Sequence, residues 1–235
     1  MTTAFYTILA VLPSIIWLFF YLRKDKHPEP NKLVVKVFFL GFLSAFGALF
    51  FQVLYQAGLK SLSLEKVIIL FIIGGAFIEE YLKYFAARKT ILKDPEFDEP
   101  IDAMLYLIIS ALGFAACENI FLLNGLYVFG TPQKDILTII LIRFFGAVFL
   151  HALASAIIGY FFARSLLLKH ERKSFLGLGI LLATGLHTIY NYIIMEVSSP
   201  PEKVIILLVI LLGSMAIYVS IAFKKLIKLK SICKI

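Results

Sequence analysis

The chain has 235 residues, of which 61% are hydrophobic and 16% charged, with a formal net charge of +8. So high an apolar share excludes an ordinary soluble domain, which is nearer half apolar, and predicts an all-α integral membrane protein. The positive charge is scattered through short loops, and no basic stretch is long enough to build a nucleic-acid-binding domain.

Seven apolar runs are long enough to cross a bilayer, at about 20 residues each. They cover approximately residues 2–22, 33–57, 67–87, 101–123, 136–163, 175–195 and 204–223. The first lacks a basic leader and a small-residue cleavage site, so it reads as a span and not as a removable signal. Prolines 28 and 30 stop the chain after it. Sixteen Lys and Arg residues, from Arg23 to Lys234, fall in the loops after spans one, three and five and in the tail. Four (Lys60, Lys66, Lys134 and Lys203) fall in the opposite loops. The positive-inside rule then predicts an N-terminus outside and a C-terminus inside. No loop is long enough to fold by itself, so residues 1–235 form one transmembrane domain.

Four spans carry residues that lipid rejects. The third holds Glu79, Glu80 and Lys83, the fourth Glu118 and Asn119, the fifth His151, and the sixth His187 and Asn191. An acidic side chain at a helix centre costs roughly 2.5–3.5 kcal/mol to insert. The i,i+4 spacing predicts a Glu79–Lys83 pair, which leaves Glu80 in need of a partner on another helix. His187 and Asn191 also share a face at i,i+4. For Asn119, Asn124 and Arg143 the bland role of interhelical contact, or snorkelling for Arg143, is preferred. His27 and His170 fall in basic loops and read as solvated. Cys117, beside Glu118, reads as a small buried interface residue, and Cys233 lies in the tail; two such cysteines make no disulfide framework.

This set suits hydrolysis. A carboxylate takes a proton from water, and a histidine or asparagine donates to the developing oxyanion. Two histidines and a Glu, namely His151, His187 and Glu118, also make a zinc site with one open position, although the spacing does not match HExxH. A metal-free glutamate mechanism stays equally open. The same Glu/His set would serve an ion- or proton-coupled transporter as a relay, or a membrane protein that binds a partner without cutting it.

Several segments, taken together, resemble the PrsW family of intramembrane proteases, distant relatives of the CAAX-processing and bacteriocin-processing membrane proteases. They are DKHPEP at residues 25–30, EEYLK at 79–83, FDEPID at 97–102, GFAACEN at 113–119, HALASAIIGY at 151–160 and GLHTIYN at 185–191. The resemblance runs from Trp17 to about Tyr192, with the motifs in order on successive spans. It implies a multi-pass protein of a bacterial or archaeal plasma membrane that cuts membrane-anchored proteins, anti-sigma factors being associated with the family. It also implies that Glu79 and Glu80 activate the water, with Lys83 completing their motif. His151 and His187 complete the centre, Asn191 helps hold the oxyanion, and Glu118 belongs to the same polar site. Ala103 and Ala147 depart from the family and superfamily patterns, and neither change removes a chemical group. Oligomeric state is not legible in the residues.

Overall fold

The computed structural model describes residues 3–25, 27–59, 62–168, 171–195 and 200–229, and the side chains of all of these but 64–66. Lys26, Lys60, Lys169, His170, Lys230, Cys233 and Lys234 lie outside the described residues. Among those described the protein is all α. The helices are α1 (Thr3–Leu22), α2 (Asn31–Gly58), α3 (Leu64–Ile91), α4 (Pro100–Val128), α5 (Gln133–Phe145), α6 (Ala147–Leu166), α7 (Arg172–Met195) and α8 (Pro201–Leu226). By length and composition α1, α2, α4, the stretch Gln133–Leu166 that holds α5 and α6, α7 and α8 can each cross a membrane. Helix α3 has 28 residues, about 42 Å of helix, and is long enough. The charges at its middle set it apart from the other six.

Helix α4 is the axis of the bundle. Pro100 opens it where a missing N–H costs nothing, and Glu99 and Asp102 form a reciprocal capping box around that start. Every residue from Pro100 to Cys117 is buried, and α4 packs most extensively on α6, α2 and α1. Small residues allow that closeness. A Cβ on Gly41 of α2 would lie 2.0 Å from the Ser110 carbonyl oxygen, and one on Gly159 of α6 would lie 2.5 Å from the Met104 Cα. Helix association within membranes depends on this kind of backbone approach. Cys117 packs with Ala45, Ala48 and Phe114 at the α2–α4 contact, as a small core residue. At the periphery α8 leaves Ile205, Val209 and Ile217 at 60%, 65% and 66% exposure, an outer surface suited to lipid.

The span predicted as continuous over 136–163 is broken. Gly146 (φ −101°, ψ −95°) separates α5 from α6. A Cβ there would lie 2.5 Å from the Tyr190 hydroxyl, so α7 crowds the break against any larger residue. The indole of Trp17 donates to the Phe144 carbonyl at 3.0 Å, which satisfies an acceptor at the interruption. The sequence predicts seven spans; the break turns them into eight helical segments.

Candidate functional site

The polar residues of α3, α4, α6 and α7 converge. Glu80 and Lys83 lie one turn apart on α3, both side chains fully buried, and Lys83 Nζ donates to Glu80 Oε1 at 2.6 Å. The predicted Glu79–Lys83 pair is therefore corrected to Glu80–Lys83. Spacing along α3 allows either pairing, and the neighbouring helices decide between them. Lys83 Nζ also lies 2.9 Å from Nδ1 of His151 on α6, and His187 Nδ1 on α7 lies 2.8 Å from Glu80 Oε1. Ser155 donates to the other Glu80 oxygen at 3.4 Å. Phe114 closes this floor, its ring centroid 5.2 Å from Lys83 Nζ.

These contacts fix the imidazole tautomers. An ammonium can only donate, so His151 Nδ1 accepts and its proton sits on Nε2, which donates to Glu118 Oε2 at 2.8 Å. A carboxylate accepts, so His187 Nδ1 carries its proton toward Glu80. In a neutral His187 the lone pair of Nε2 then faces Glu79 Oε2 at 3.7 Å. Gln52 of α2 donates to the other Glu79 oxygen at 2.8 Å. Glu79 Oε2 itself is buried with no hydrogen-bond partner among the described residues. Two acceptors therefore face each other at a distance suited to a water molecule or a cation between them.

Both acceptors open on a cavity of about 320 Å³ between α3, α4, the α5–α6 break and α7. Glu118, Arg143, His151 and Asn191 also line it. Asn191 is one turn from His187. At the mouth Arg143 Nη2 is 3.6 Å from Glu118 Oε2, with exposures of 21% and 30%. Arg143 Nε also bonds Asn119 Oδ1, whose amide donates to the Ala10 carbonyl at 3.1 Å. Asn119 is thus an interhelical tie, and so is Asn124, which donates to Thr7 Oγ1 at 3.2 Å. Arg143 turns inward to the cavity and does not snorkel. His27 is exposed, as expected, and pairs with Glu99 at 2.7 Å.

Gln52, Ser155 and the inward turn of Arg143 escape a reading of the sequence. Gln52 had a visible signal, an amide within an otherwise apolar run. Ser155 had none, because its role depends on which helix faces it.

A family model described as PrsW family intramembrane metalloprotease matches residues 29–221. The chain belongs to that family. It is 29% identical over 187 residues to Protease PrsW of Geobacillus kaustophilus, covering 79% of this chain and 77% of that protein. It is 31% identical over 192 residues to Protease PrsW of Oceanobacillus iheyensis (80% and 82%), and 29% identical over 191 residues to that of Bacillus subtilis (80% and 82%). No solved structure matches the chain. The protein is a PrsW-family intramembrane peptidase and an all-α, multi-pass membrane protein. The match begins after α1 and reaches into α8, further than the sequence motifs extend.

The family's description implies a metal, and the residues fit one. Glu79, His151 and His187 each offer a ligand atom, all within 4.8 Å of one another. The 3.7 Å gap between Glu79 Oε2 and His187 Nε2 is one that a zinc-type ion, bonded at about 2.0–2.2 Å to each, would span. Glu80 holds the far nitrogen of His187 as metal-bound histidines are usually held. Glu79 takes the place in this trio that the sequence reading gave to Glu118, which instead bonds His151. Ligation by His151 Nε2 would exchange that contact for the metal.

Proposed function

We propose that this PrsW-family protease cleaves a membrane-anchored protein by activating a water molecule between Glu79 and His187. The observation that carries the reading is the buried, unpartnered Glu79 Oε2 facing the His187 Nε2 lone pair across 3.7 Å. Glu79 takes the proton from the water and His187 aligns its oxygen. A metal held by Glu79, His151 and His187 would supply Lewis-acid polarisation of the carbonyl and a more acidic bound water.

Glu80 is saturated by Lys83, His187 and Ser155, so it acts as a positioning residue that fixes the His187 tautomer. His151 and Glu118 relay that fixed geometry to the mouth. Asn191, a neutral donor on the cavity wall, holds the oxyanion of the tetrahedral intermediate. Substrate reaches the cavity sideways, between α5 and α7, which do not pack on one another among the described residues. Ile142 and Ile194 line that side and are exposed to lipid. The protein lies in a bacterial plasma membrane with its basic end in the cytoplasm. The substrate is a single-span protein whose scissile bond descends to the level of Glu79.

The test is cleavage of single-span peptides by the purified protein in detergent, beside elemental analysis of its metal content. Wild-type turnover by Glu79→Gln would sink the assignment, whatever the metal content.

A further inference from the structure

A second cavity, of about 950 Å³, lies at the basic end of the bundle, formed by the end of α3, the α3–α4 loop, the end of α6 and the start of α7. Four cations converge on it from three elements: Arg88 on α3, Lys93 in the loop, and Arg172 and Lys173 on α7. Among the described residues none of the four makes an ion pair. Below them the wall is aromatic. Tyr84 meets Phe162 edge-on at 5.6 Å, and Phe97 stacks on Phe162 at 6.3 Å. Cations above an aromatic floor, where three helices leave the apolar zone, match a phosphate carried on an apolar body.

We propose that this cavity binds an anionic glycerophospholipid of the leaflet at the basic end. Arg88, Lys93, Arg172 and Lys173 hold the phosphate, and the Tyr84–Phe162–Phe97 wall takes the glycerol backbone and the first methylenes of the chains. Basic pockets between membrane helices at the cytoplasmic side bind phosphate head groups in this manner, and guanidinium forks suit phosphate oxygens. Asp94 and Asp98 also line the cavity. The Asp94 carboxylate, one oxygen of which accepts from the Glu96 N–H at 3.2 Å, repels an acidic peptide and offers its other oxygen to the hydroxyls of a glycerol head group. That favours lipid over a polyacidic segment of a protein, and phosphatidylglycerol over other anionic lipids. The inference is independent of the proteolytic mechanism, since no residue of the Glu79–His187 site takes part.

The experiment measures binding of phosphatidylglycerol and of phosphatidylcholine to the delipidated full chain by native mass spectrometry. Inorganic phosphate, glycerol 3-phosphate and a polyglutamate peptide serve as competitors. Phosphatidylglycerol should bind at least about tenfold more tightly than phosphatidylcholine. The triple variant Arg88→Gln/Arg172→Gln/Lys173→Gln should lose that preference. Lys224→Gln/Lys225→Gln, which removes charge from the same end but outside the cavity, should keep it. Photo-crosslinking of the wild type with a diazirine-bearing phosphatidylglycerol supplies a test independent of variants, and labelling should fall on residues 84–98, 162–166 and 172–176. Equal affinity for both lipids, a preference retained by the triple variant, or labelling elsewhere overturns the proposal. Competition by phosphate or glycerol 3-phosphate as effective as by the lipid makes it a soluble-anion site and overturns the lipid assignment. Tighter binding of polyglutamate overturns it in favour of a protein partner.

Discussion

The floor and the mouth of the cavity between α3, α4, α6 and α7 each hold a carboxylate–cation pair, and the two are built differently. At the floor Lys83 and Glu80 meet at 2.6 Å with no exposure on either side chain. At the mouth Arg143 and Glu118 stand 3.6 Å apart, about a fifth and a third exposed. Desolvation makes the difference instructive. A buried pair persists only when every lone pair and proton has a place, and here Ser155, His151 and His187 complete it. The mouth pair is partly solvated and can loosen as a substrate arrives. Under the proposed function the floor holds geometry, and the mouth admits and releases.

The sharpest way to break this contrast is at the residue between the two zones. Glu79→Gln should leave the protein inserted and folded but lower turnover by about 10²–10⁴-fold, because the amide keeps the shape and loses the base. Peptide cleavage by the purified variant, beside its melting curve, checks both halves. Next in size is Lys83→Met, which strands Glu80 in the interior. Breaking a buried pair costs about 3–5 kcal/mol, so the midpoint of thermal unfolding in detergent should fall steeply. Adding Glu80→Gln should recover most of that stability without recovering turnover. Full recovery of both would mean that the floor has no part in the chemistry.

Asn191→Ala probes the wall between the two zones. Loss of one oxyanion donor typically costs 10²–10³ in turnover, roughly 3–4 kcal/mol, with substrate affinity nearly unchanged. If the residue is only an interhelical tie, the melting temperature will drop and specific activity will not. At the mouth, Arg143→Gln should cost no more than about 1 kcal/mol, a factor of roughly five. A loss as large as that of Lys83→Met would erase the distinction between floor and mouth.

The smallest effect concerns a carboxylate outside the spans, Glu29, which accepts a hydrogen bond from Tyr106. Burial first, with the neighbouring Asp102 adding to it against the Tyr106 hydrogen bond, pushes the Glu29 carboxyl up to about 9. A carboxyl raised on folding favours the folded state below its unfolded value of 4.5 and loses that contribution as pH rises through about 9. Melting temperature should therefore decline between neutral pH and pH 10, and Glu29→Gln should flatten the decline. An identical slope in both proteins would remove Glu29 from the linkage.

Much of this arrangement is legible in the residues, for a stated reason. Lipid makes every intramembrane Glu, His and Lys conspicuous, so Glu79, Glu80, Lys83, Glu118, His151 and His187 announce themselves and meet in one cluster. What stays hidden depends on helix rotation. Whether Lys83 turns to Glu79 or Glu80 is set by His151 and His187 on other helices, and spacing along α3 cannot decide it. The break at Gly146 is hidden too, because one glycine in an apolar run is ordinary until the Tyr190 hydroxyl is seen beside it. The level of Glu118 is hidden as well, because the sequence does not mark where its helix ends. Helix α4 continues to Val128, which puts Glu118 about 15 Å from that end and level with its partners.

The long reach of the floor contacts bears on how the protein is made. Lys83 meets a partner 68 positions later and Glu80 one 107 positions later, on helices synthesised well after α3. While the chain is emerging, α3 holds two carboxylates and an ammonium that lipid penalises at roughly 2.5–3.5 kcal/mol each. Its hold in the bilayer is therefore completed only when α6 and α7 leave the translocon. Ribosome-bound chains stopped before His187 should leave α3 extractable or exposed to aqueous labelling, and chains extended past Met195 should protect it. On this reading biogenesis of this protease is committed at α7, and a truncation there forfeits the hold of α3 along with α7.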